Sequence, residues 1–139
     1  MATLLLLTPQ LPYPPQQGTS LRNFHIIRGL SRHHEVTLLS LEEGETAPAS
    51  VDRLLEYCLE VRTVPAPERS THQRLLRLLF DRRPDMAHRL ESAHFDSALD
   101  DIVSGRQGGG TSGPAFDITQ IEGLELARAI PTIRRLDPE

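Results

Sequence analysis

Residues 3–41 read TLLLLTPQLPYPPQQGTSLRNFHIIRGLSRHHEVTLLSL, and the pattern within them decides the fold class. The apolar run Thr3–Thr8 is short, continuous and stopped by Pro9, which is typical of a strand buried on both faces. Val36–Leu41 repeats this pattern and predicts a second buried strand. Two buried strands joined by a loop and a helix are the unit from which a parallel sheet is built.

The segment between these strands predicts a stiff loop followed by a helix. Prolines crowd the stretch from Pro9 to Pro15, which excludes a helix or a central strand, and Gly18 ends the loop. Ser20 is expected to be the N-cap, because its hydroxyl can accept from an otherwise unpaired N–H group. The helix is expected to close at Arg32–His34, where positive charge suits the dipole. Its apolar residues repeat at helical spacing: Leu21, Phe24, Ile27 and Leu30.

Strand and helix continue to alternate along the rest of the chain. The pattern predicts strands over Leu59–Val64 and Phe116–Ile121, the second of them central in the sheet. Helical segments are expected over Ser50–Tyr57, with Ser50 as the N-cap, and over Ser70–Phe80, Met86–Val103 and Leu124–Leu136. This order favours an α/β fold, namely a three-layer, Rossmann-like sandwich with a mainly parallel sheet, formed by residues 1–139 as one domain.

The composition excludes several classes of function. The chain has 139 residues, its 15 basic residues are all arginine, and its net charge of −4 shows no basic footprint for nucleic acid. Without lysine, a P-loop lysine or a Schiff-base lysine is excluded. The single Cys58 excludes an internal disulfide and a cysteine-rich zinc site. Thr8–Pro9–Gln10 stands where a dinucleotide-binding fold requires its glycine motif. We therefore predict no cofactor and no metal.

Targeting and membrane-spanning segments are not visible in the sequence. The apolar run Ala2–Leu7 is too short for the core of a signal peptide, and no cationic stretch precedes it. Nothing approaches the ~20 apolar residues of a membrane span. The expectation is a cytoplasmic protein, with peripheral attachment to a membrane left open.

The candidate site residues lie in loops that follow the predicted strands, because ligands of open α/β sheets bind outside the carboxyl ends of the strands. Gly18 allows close approach of backbone, and the helix start after it can hold a phosphate or a sugar hydroxyl; an ordinary rigid turn is the alternative. A carboxylate at Glu122 can accept from a substrate hydroxyl or act as a base; a helix N-terminal acid is the alternative. His25 can face the same cleft or be a packing residue.

Two blocks of the sequence resemble one family of glycosyltransferases. LLLLTPQLPYPPQQGTSLRNFHIIRGLSRHHEVTLLSL is similar to the opening of a family 4-type (group 1) glycosyltransferase of the GT-B fold: an apolar strand, a TPxLPYPP loop, an LRxxH helix start and HEVTLLSL. FDITQIEGLELARAIPTIRRL is similar to a later strand, loop and helix of that family. Together the two blocks cover a little under half of the chain.

The resemblance implies an N-terminal, acceptor-binding domain of such an enzyme, truncated before its last strands. The parent enzyme would transfer a hexose-like sugar, with retention, from a nucleotide-sugar donor to a hydroxyl of a sugar, a lipid-linked sugar or a small molecule. The donor would bind through a C-terminal domain that this chain lacks, so the fragment alone is expected to be inactive. The incomplete sheet is expected to self-associate, as a homodimer.

The matched motifs imply the site residues as well. They give Gly18, Thr19, Arg22 and Glu122 as substrate-binding residues, and Glu122 and His25 as candidate catalytic residues. The family often has two consecutive glycines where this chain has Gly18–Thr19, and a threonine side chain narrows the approach of a donor diphosphate. Two alternatives stay open: a stand-alone α/β binding module, and a GT-B sugar-nucleotide epimerase that uses no acceptor. The donor sugar and the acceptor are not determined by the sequence.

Overall fold

The described residues of the computed structural model, 1–42, 44, 47–67, 92–107 and 115–136, alternate between strand and helix. In chain order the elements are β1 (Thr3–Thr8), α1 (Gly18–Leu30), β2 (Glu35–Glu42), α2 (Pro48–Leu55), β3 (Glu60–Pro65), α3 (Ala93–Gln107), β4 (Ile118–Ile121), a 3-10 turn (Leu124–Leu126) and α4 (Ala129–Leu136). The helix predicted from Ser70, the first part of the one predicted from Met86, and residues 108–114 lie outside the described residues.

The described strands form one parallel sheet in the order β3-β2-β1-β4. β1 is an inner strand because its side chains are apolar on both faces: Leu4 to Leu7 are each at most 3% exposed. Burying each of these leucines stabilises the fold by roughly 1.5–3 kcal/mol. The predicted α/β class and parallel sheet are confirmed, and the arrangement is consistent with a Rossmann-like fold.

Helices cover both faces of the sheet and create two apolar cores. On one face, Leu6 and Leu38 pack with Phe24 and Ile27 of α1 and with Leu54 of α2. On the other face, the alternate side chains of β1 and β2 pack against α3 and α4 in a second cluster, which includes Leu5, Leu7, Leu39, Leu41, Phe95, Leu99, Val103 and Ala129. Because successive residues of a strand point to opposite faces, residue parity assigns each β1 and β2 side chain to one core.

The helix caps differ from the sequence prediction. α1 begins at Gly18 with Gln17 as its N-cap, so the prediction of Ser20 as N-cap is wrong. The Ser20 hydroxyl instead accepts from the Gln17 N–H (3.1 Å) and donates to the Gln17 carbonyl (3.0 Å), which closes the first turn from inside the helix. α1 also ends earlier, at Leu30, and residues 31–33 form a turn.

The second helix shows the same kind of correction, since Ser50 lies inside α2 and Ala47 is its N-cap. Pro48 is the first residue of α2, where the N–H group that proline lacks has no intrahelical acceptor. Proline at the first helical position therefore replaces the hydroxyl cap that the sequence pattern favoured.

Among the described strands, the fourth lies at an edge of the sheet, whereas the sequence predicted a central strand over Phe116–Ile121. β4 pairs only with β1 among the described strands and begins at Ile118, which is 51% exposed. Phe116 is buried, but it precedes the strand and packs beneath α3. Leu124–Leu136 is likewise not one helix, because a 3-10 turn and a break precede α4. The predicted homodimer stays a prediction.

β1 and β4 are joined at their amino ends by Asp117 and Thr3. The Asp117 carboxylate accepts from the Thr3 N–H (2.6 Å) and from the Thr3 hydroxyl (2.9 Å), while the Asp117 N–H donates to the Thr3 carbonyl (3.0 Å). These bonds to the charged form, the backbone one first, lower the pKa of Asp117 below its ordinary value of 3.8. The edge strand is thereby anchored by charge-assisted hydrogen bonds at the start of its pairing.

We expect Asp117→Asn to lower the Tm at neutral pH, because an amide cannot strengthen the two Thr3 hydrogen bonds with a charge. Since the folded-state pKa of Asp117 is lowered, the ionised carboxylate stabilises the fold fully above the ordinary pKa of 3.8. This stabilisation is lost as the pH falls through the lowered value. Thermal unfolding across the acid range measures the difference in Tm between the wild-type protein and Asp117→Asn, and this difference should vanish at low pH. Asp52→Asn, on the exposed side of α2, is the control. A difference that stays constant with pH would contradict this account.

Candidate functional site

The carboxyl end of the sheet carries the point at which the strand order reverses. From β1 the chain moves through β2 to β3 with α1 and α2 on one face, and it then reaches β4 on the opposite side of β1. β1 therefore has β2 on one side and β4 on the other, and the order of the strands reverses between β1 and β4. Ligands of open α/β sheets bind outside the carboxyl ends of the strands at such a switch point.

A cleft of about 390 Å³ opens beside this point, above the carboxyl ends of β1 and β2. The loop after β1, the first turn of α1, the end of β2 and the start of α2 supply its walls. Its described lining is mostly neutral and polar: Gln10, Leu11, Tyr13, Pro14, Gln16, Gln17, Ser20, Glu42, Ala47 and Ser50. Three primary amides and three hydroxyls give the cleft both hydrogen-bond donors and acceptors, with one carboxylate.

The sheet beneath the cleft changes from apolar to polar along the same face. Leu6 is followed two residues later by Thr8, and Leu38 by Ser40, so both strands place a hydroxyl where the cleft begins. The Thr8 hydroxyl donates to the Ser40 hydroxyl (2.9 Å), which donates to the Leu41 carbonyl (3.0 Å). Both side chains are fully buried, and their mutual bond satisfies groups that would otherwise lack water.

The aromatic side of the cleft is supported by the core. The Tyr13 ring lies 5.6 Å from the ring of Phe24, and Phe24 lies edge-on to Tyr57 at 5.7 Å. Tyr13 precedes the cis bond to Pro14, in a loop that the prolines make stiff. An amphipathic ring is therefore held at the cleft wall by apolar contacts, with its hydroxyl end available for hydrogen bonding.

Arg22 and Glu122 meet across the switch point, where they join α1 to the end of β4. One Glu122 carboxylate oxygen accepts from Arg22 Nη2, and the other accepts from Gln120 Nε2 (2.6 Å). The Glu122 N–H also donates to the Leu7 carbonyl (2.9 Å), which extends the pairing of β4 with β1 by one residue. The Glu122 side chain is 12% exposed and that of Arg22 61% exposed, so the pair presents its guanidinium to solvent.

The structure brings the substrate-binding candidates together at one end of α1. Gly18 and Thr19 are its first two residues, Arg22 lies one turn later, and Glu122 reaches Arg22 from β4. None of these four residues is among the described lining of the cleft, whose nearest wall is formed by Gln17 and Ser20. Of the loops after the strands, those after β1 and β2 contribute to the described lining of the cleft, whereas the loop after β4, which carries Glu122, does not. The roles of the individual residues stay predictions.

The backbone conformation of Gly18 does not require a glycine in the free chain. Gly18 has no positive φ, and a Cβ placed on it would meet nothing within 4 Å. The glycine whose conformation is demanding is Gly123, with a φ of +96°, which turns the chain directly after Glu122. The predicted role of Gly18, close approach of a ligand to the backbone, stays a prediction.

His25 is exposed on α1, lies edge-on to Phe24 at 6.2 Å and does not line the cleft. Its predicted catalytic role stays a prediction. Tyr13 and Gln16 were not predicted as site residues, because an isolated glutamine or tyrosine in a loop carries no spacing signal. The proline-rich composition of the loop was the only available indication, since it predicted a stiff segment at a strand end.

Metal clusters and membrane-spanning helices are both absent from the described residues. No group of three or more His, Cys, Asp or Glu side chains is placed there to hold a metal ion. No helix in the same ranges is long and apolar enough to cross a bilayer. Cys58 is a core residue, and burial raises the pKa of its thiol to about 12, so it is not a nucleophile at neutral pH.

Comparison with known proteins finds no match: no family model, no curated protein and no solved structure matches this chain. A functional assignment therefore depends on the cleft, on the residues at the switch point and on the sequence motifs described above.

We expect Gly18→Ala to leave the free energy of unfolding unchanged or to raise it, because the added methyl group meets no neighbour. Gly29→Ala, in the interior of the same helix and equally open, is the matched control and should raise the free energy of unfolding by up to about 1 kcal/mol. Urea unfolding of both variants measures these differences. A clear loss of stability in Gly18→Ala alone would mean that the fold itself requires this glycine.

Proposed function

We propose that this chain binds the acceptor of a GT-B glycosyltransferase, an enzyme that transfers a sugar from a nucleotide-sugar donor to an acceptor hydroxyl. The observation that carries the proposal is the neutral polar cleft at the carboxyl end of the sheet, bordered by the first turn of α1. The family motifs and this cleft involve the same segment, because the TPxLPYPP match, residues 8–15, supplies Gln10, Leu11, Tyr13 and Pro14 to the lining of the cleft.

The chemistry of the lining favours a saccharide or another polyhydroxylated molecule. A hydroxyl group both donates and accepts, and a primary amide such as Gln16 or Gln17 can satisfy both functions. Tyr13 adds an aromatic face beside these groups, which suits the apolar C–H surface of a sugar ring. The cleft volume of about 390 Å³ lies within the range of pockets that bind small ligands.

The switch-point residues suggest how such an acceptor would be oriented. The carboxylate of Glu122 already accepts one hydrogen bond at each oxygen, from Arg22 and from Gln120. This arrangement favours a role in holding Arg22 over a role as general base, since a base needs a lone pair directed at the substrate. In the proposed enzyme, the donor would bind through a second domain, and catalysis would depend on bringing its sugar close to the positioned hydroxyl.

The direct test of the proposal measures ligand binding to the 139-residue chain by saturation-transfer NMR and by calorimetry. The probes are glucose, galactose, mannose and N-acetylglucosamine, together with UDP-, GDP- and dTDP-sugars. We expect weak binding of at least one free sugar, and little or no binding of the nucleotide sugars. Gln16→Ala and Ser50→Ala should weaken sugar binding, because both side chains line the cleft. Ser104→Ala, exposed on α3, is the control.

The alternatives give different outcomes in the same experiment. Micromolar affinity for a nucleotide sugar would place the donor on this chain and support a sugar-nucleotide epimerase or another donor-binding role. Binding of neither class of ligand would support a stand-alone interaction module. Either result would overturn the assignment of an acceptor-binding cleft.

In an active enzyme that contains this chain, Glu122→Gln separates two possible roles of the carboxylate. Loss of a general base lowers kcat/KM by about 100-fold or more, whereas loss of a residue that only orients Arg22 lowers it a fewfold. We expect the smaller loss, because glutamine keeps an acceptor oxygen for Arg22. Steady-state kinetics give kcat/KM, and thermal unfolding checks that the fold is unchanged. A decrease of 100-fold or more would establish the base.

A further inference from the structure

Asn23 stands out among the buried residues of the chain. It is 0% exposed, and neither its Nδ2 nor its Oδ1 has a hydrogen-bond partner among the described residues. Buried side-chain amides nearly always have partners, because an unpaired donor or acceptor loses its hydrogen bonds with water and gains nothing in return. This carboxamide lacks partners at both ends, so the folded chain carries it at a cost in stability.

Packing does not explain an asparagine at this position. The neighbours of Asn23 on the buried face of α1 are Phe24 and Ile27, which belong to the apolar core. Thr8 and Ser40, the other fully buried polar side chains on this face of the sheet, bond to each other and leave Asn23 unpaired. An apolar side chain would therefore suit the free chain better, and departures of this kind concentrate at functional sites.

The position of Asn23 on α1 relates it to the cleft. It lies three residues after Ser20, which lines the cleft, so the two side chains share one face of the helix. The Cα–Cβ bonds of a helix tilt toward its N-terminus, so a side chain covers the turn that precedes it. The carboxamide thus lies directly behind the first turn of α1, the turn that forms the cleft wall at Gln17 and Ser20.

We propose that Asn23 is a specificity residue of the acceptor cleft, whose carboxamide donates to and accepts from a single hydroxyl of the bound sugar. The inference rests on the proposed function and names the chemistry of one contact within that site. A hydroxyl is the group that matches a carboxamide, because it offers one donor and an acceptor at the same atom. The unpaired state of Asn23 in the free chain is what the sugar relieves on binding.

Access to Asn23 requires the first turn of α1 to move outward, because the carboxamide is enclosed in the free chain. The Ser20 hydroxyl bonds to both backbone groups of Gln17 in this turn. Gly18, between them, adds no side chain that would resist the movement, since nothing lies within 4 Å of the position of its Cβ. The site then discriminates against a ligand that lacks this hydroxyl, because such a ligand would leave the Asn23 amide unpaired after the turn has opened.

The test combines stability with binding, using Asn23→Leu, Asn23→Ala and a control. Asn23→Leu removes the unpaired amide, and we expect it to raise the Tm by about 3 °C or more while weakening sugar binding at least about tenfold. Asn23→Ala should weaken binding by a similar factor and shows that the loss does not come from the bulk of leucine. Thr37→Val, a buried polar-to-apolar change on the opposite face of β2, should leave sugar binding unchanged.

Deoxygenated sugars identify the contact itself. For the sugar that binds best among glucose, galactose, mannose and N-acetylglucosamine, each monodeoxy analogue is titrated into wild-type protein and Asn23→Ala. One analogue should bind the wild-type protein about tenfold more weakly than the parent sugar does. The same analogue and the parent sugar should bind Asn23→Ala with equal affinity. If every analogue loses the same affinity in both proteins, Asn23 does not contact a hydroxyl and the inference is wrong.

The remaining outcomes separate this inference from the proposed function. Equal sugar affinity of wild-type protein and Asn23→Ala would overturn the role of Asn23 and leave the acceptor cleft standing. If no sugar binds to the wild-type protein, the proposed acceptor site fails, and the assigned contact fails with it. A fall in Tm for Asn23→Leu, at unchanged sugar affinity, would show that the carboxamide is structurally satisfied, for instance by an enclosed water molecule, and would also overturn the inference.

Discussion

The burial of β1 on both faces is the constraint on which the other elements depend. A strand with four consecutive leucines cannot leave either face in water, so helices must cover both sides and strands must flank both edges. α1 and α2 cover one face of the sheet, and α3 and α4 cover the other. Since the flanking strands are parallel to β1, their carboxyl ends lie at the same edge of the sheet, and the loops that follow them meet there.

The same constraint explains where the candidate site begins. The leucine run ends at Thr8, and β2 changes from Leu38 to Ser40 at the paired position. Beyond this boundary the face of the sheet toward α1 and α2 no longer contributes to an apolar core, and the side chains of the adjoining loops become amides and hydroxyls. A polar cleft can exist at this edge without weakening the core, because the bond between Thr8 and Ser40 satisfies the two buried hydroxyls beneath it.

Two features of the proposed site add little to the stability of the fold or lower it. The Arg22–Glu122 pair connects α1 to β4, but its guanidinium is largely exposed, so solvent screening limits what it adds to stability. Asn23 is unfavourable in the free chain, since its buried amide has no partner among the described residues. Neither group optimises the folded state, and both belong to the region that we propose binds the acceptor.

The sequence by itself determined the fold class and the direction of the strands. Thr3–Thr8 was predicted with the bounds that the structure shows, because a continuous apolar run stopped by a proline leaves few alternatives. The topology of a parallel sheet also predicted that a cleft would lie among the loops after the strands, and the loops after β1 and β2 line one, although the loop after β4 with Glu122 does not. Local caps were less predictable: Ser20 and Ser50 were expected to be N-caps, but the helices begin earlier at Gly18 and Pro48.

Only the tertiary structure decided which side chains meet. Arg22 and Glu122 are one hundred residues apart, and no local pattern specifies that α1 passes close to the end of β4. The position of β4 at the edge of the described strands was equally hidden, because the sequence of a short apolar strand does not distinguish a central from an edge position until its neighbours are known. The unpaired amide of Asn23 is the clearest case. Whether a polar side chain is satisfied depends on every group around it in space, and sequence periodicity describes only the face of the helix on which it lies.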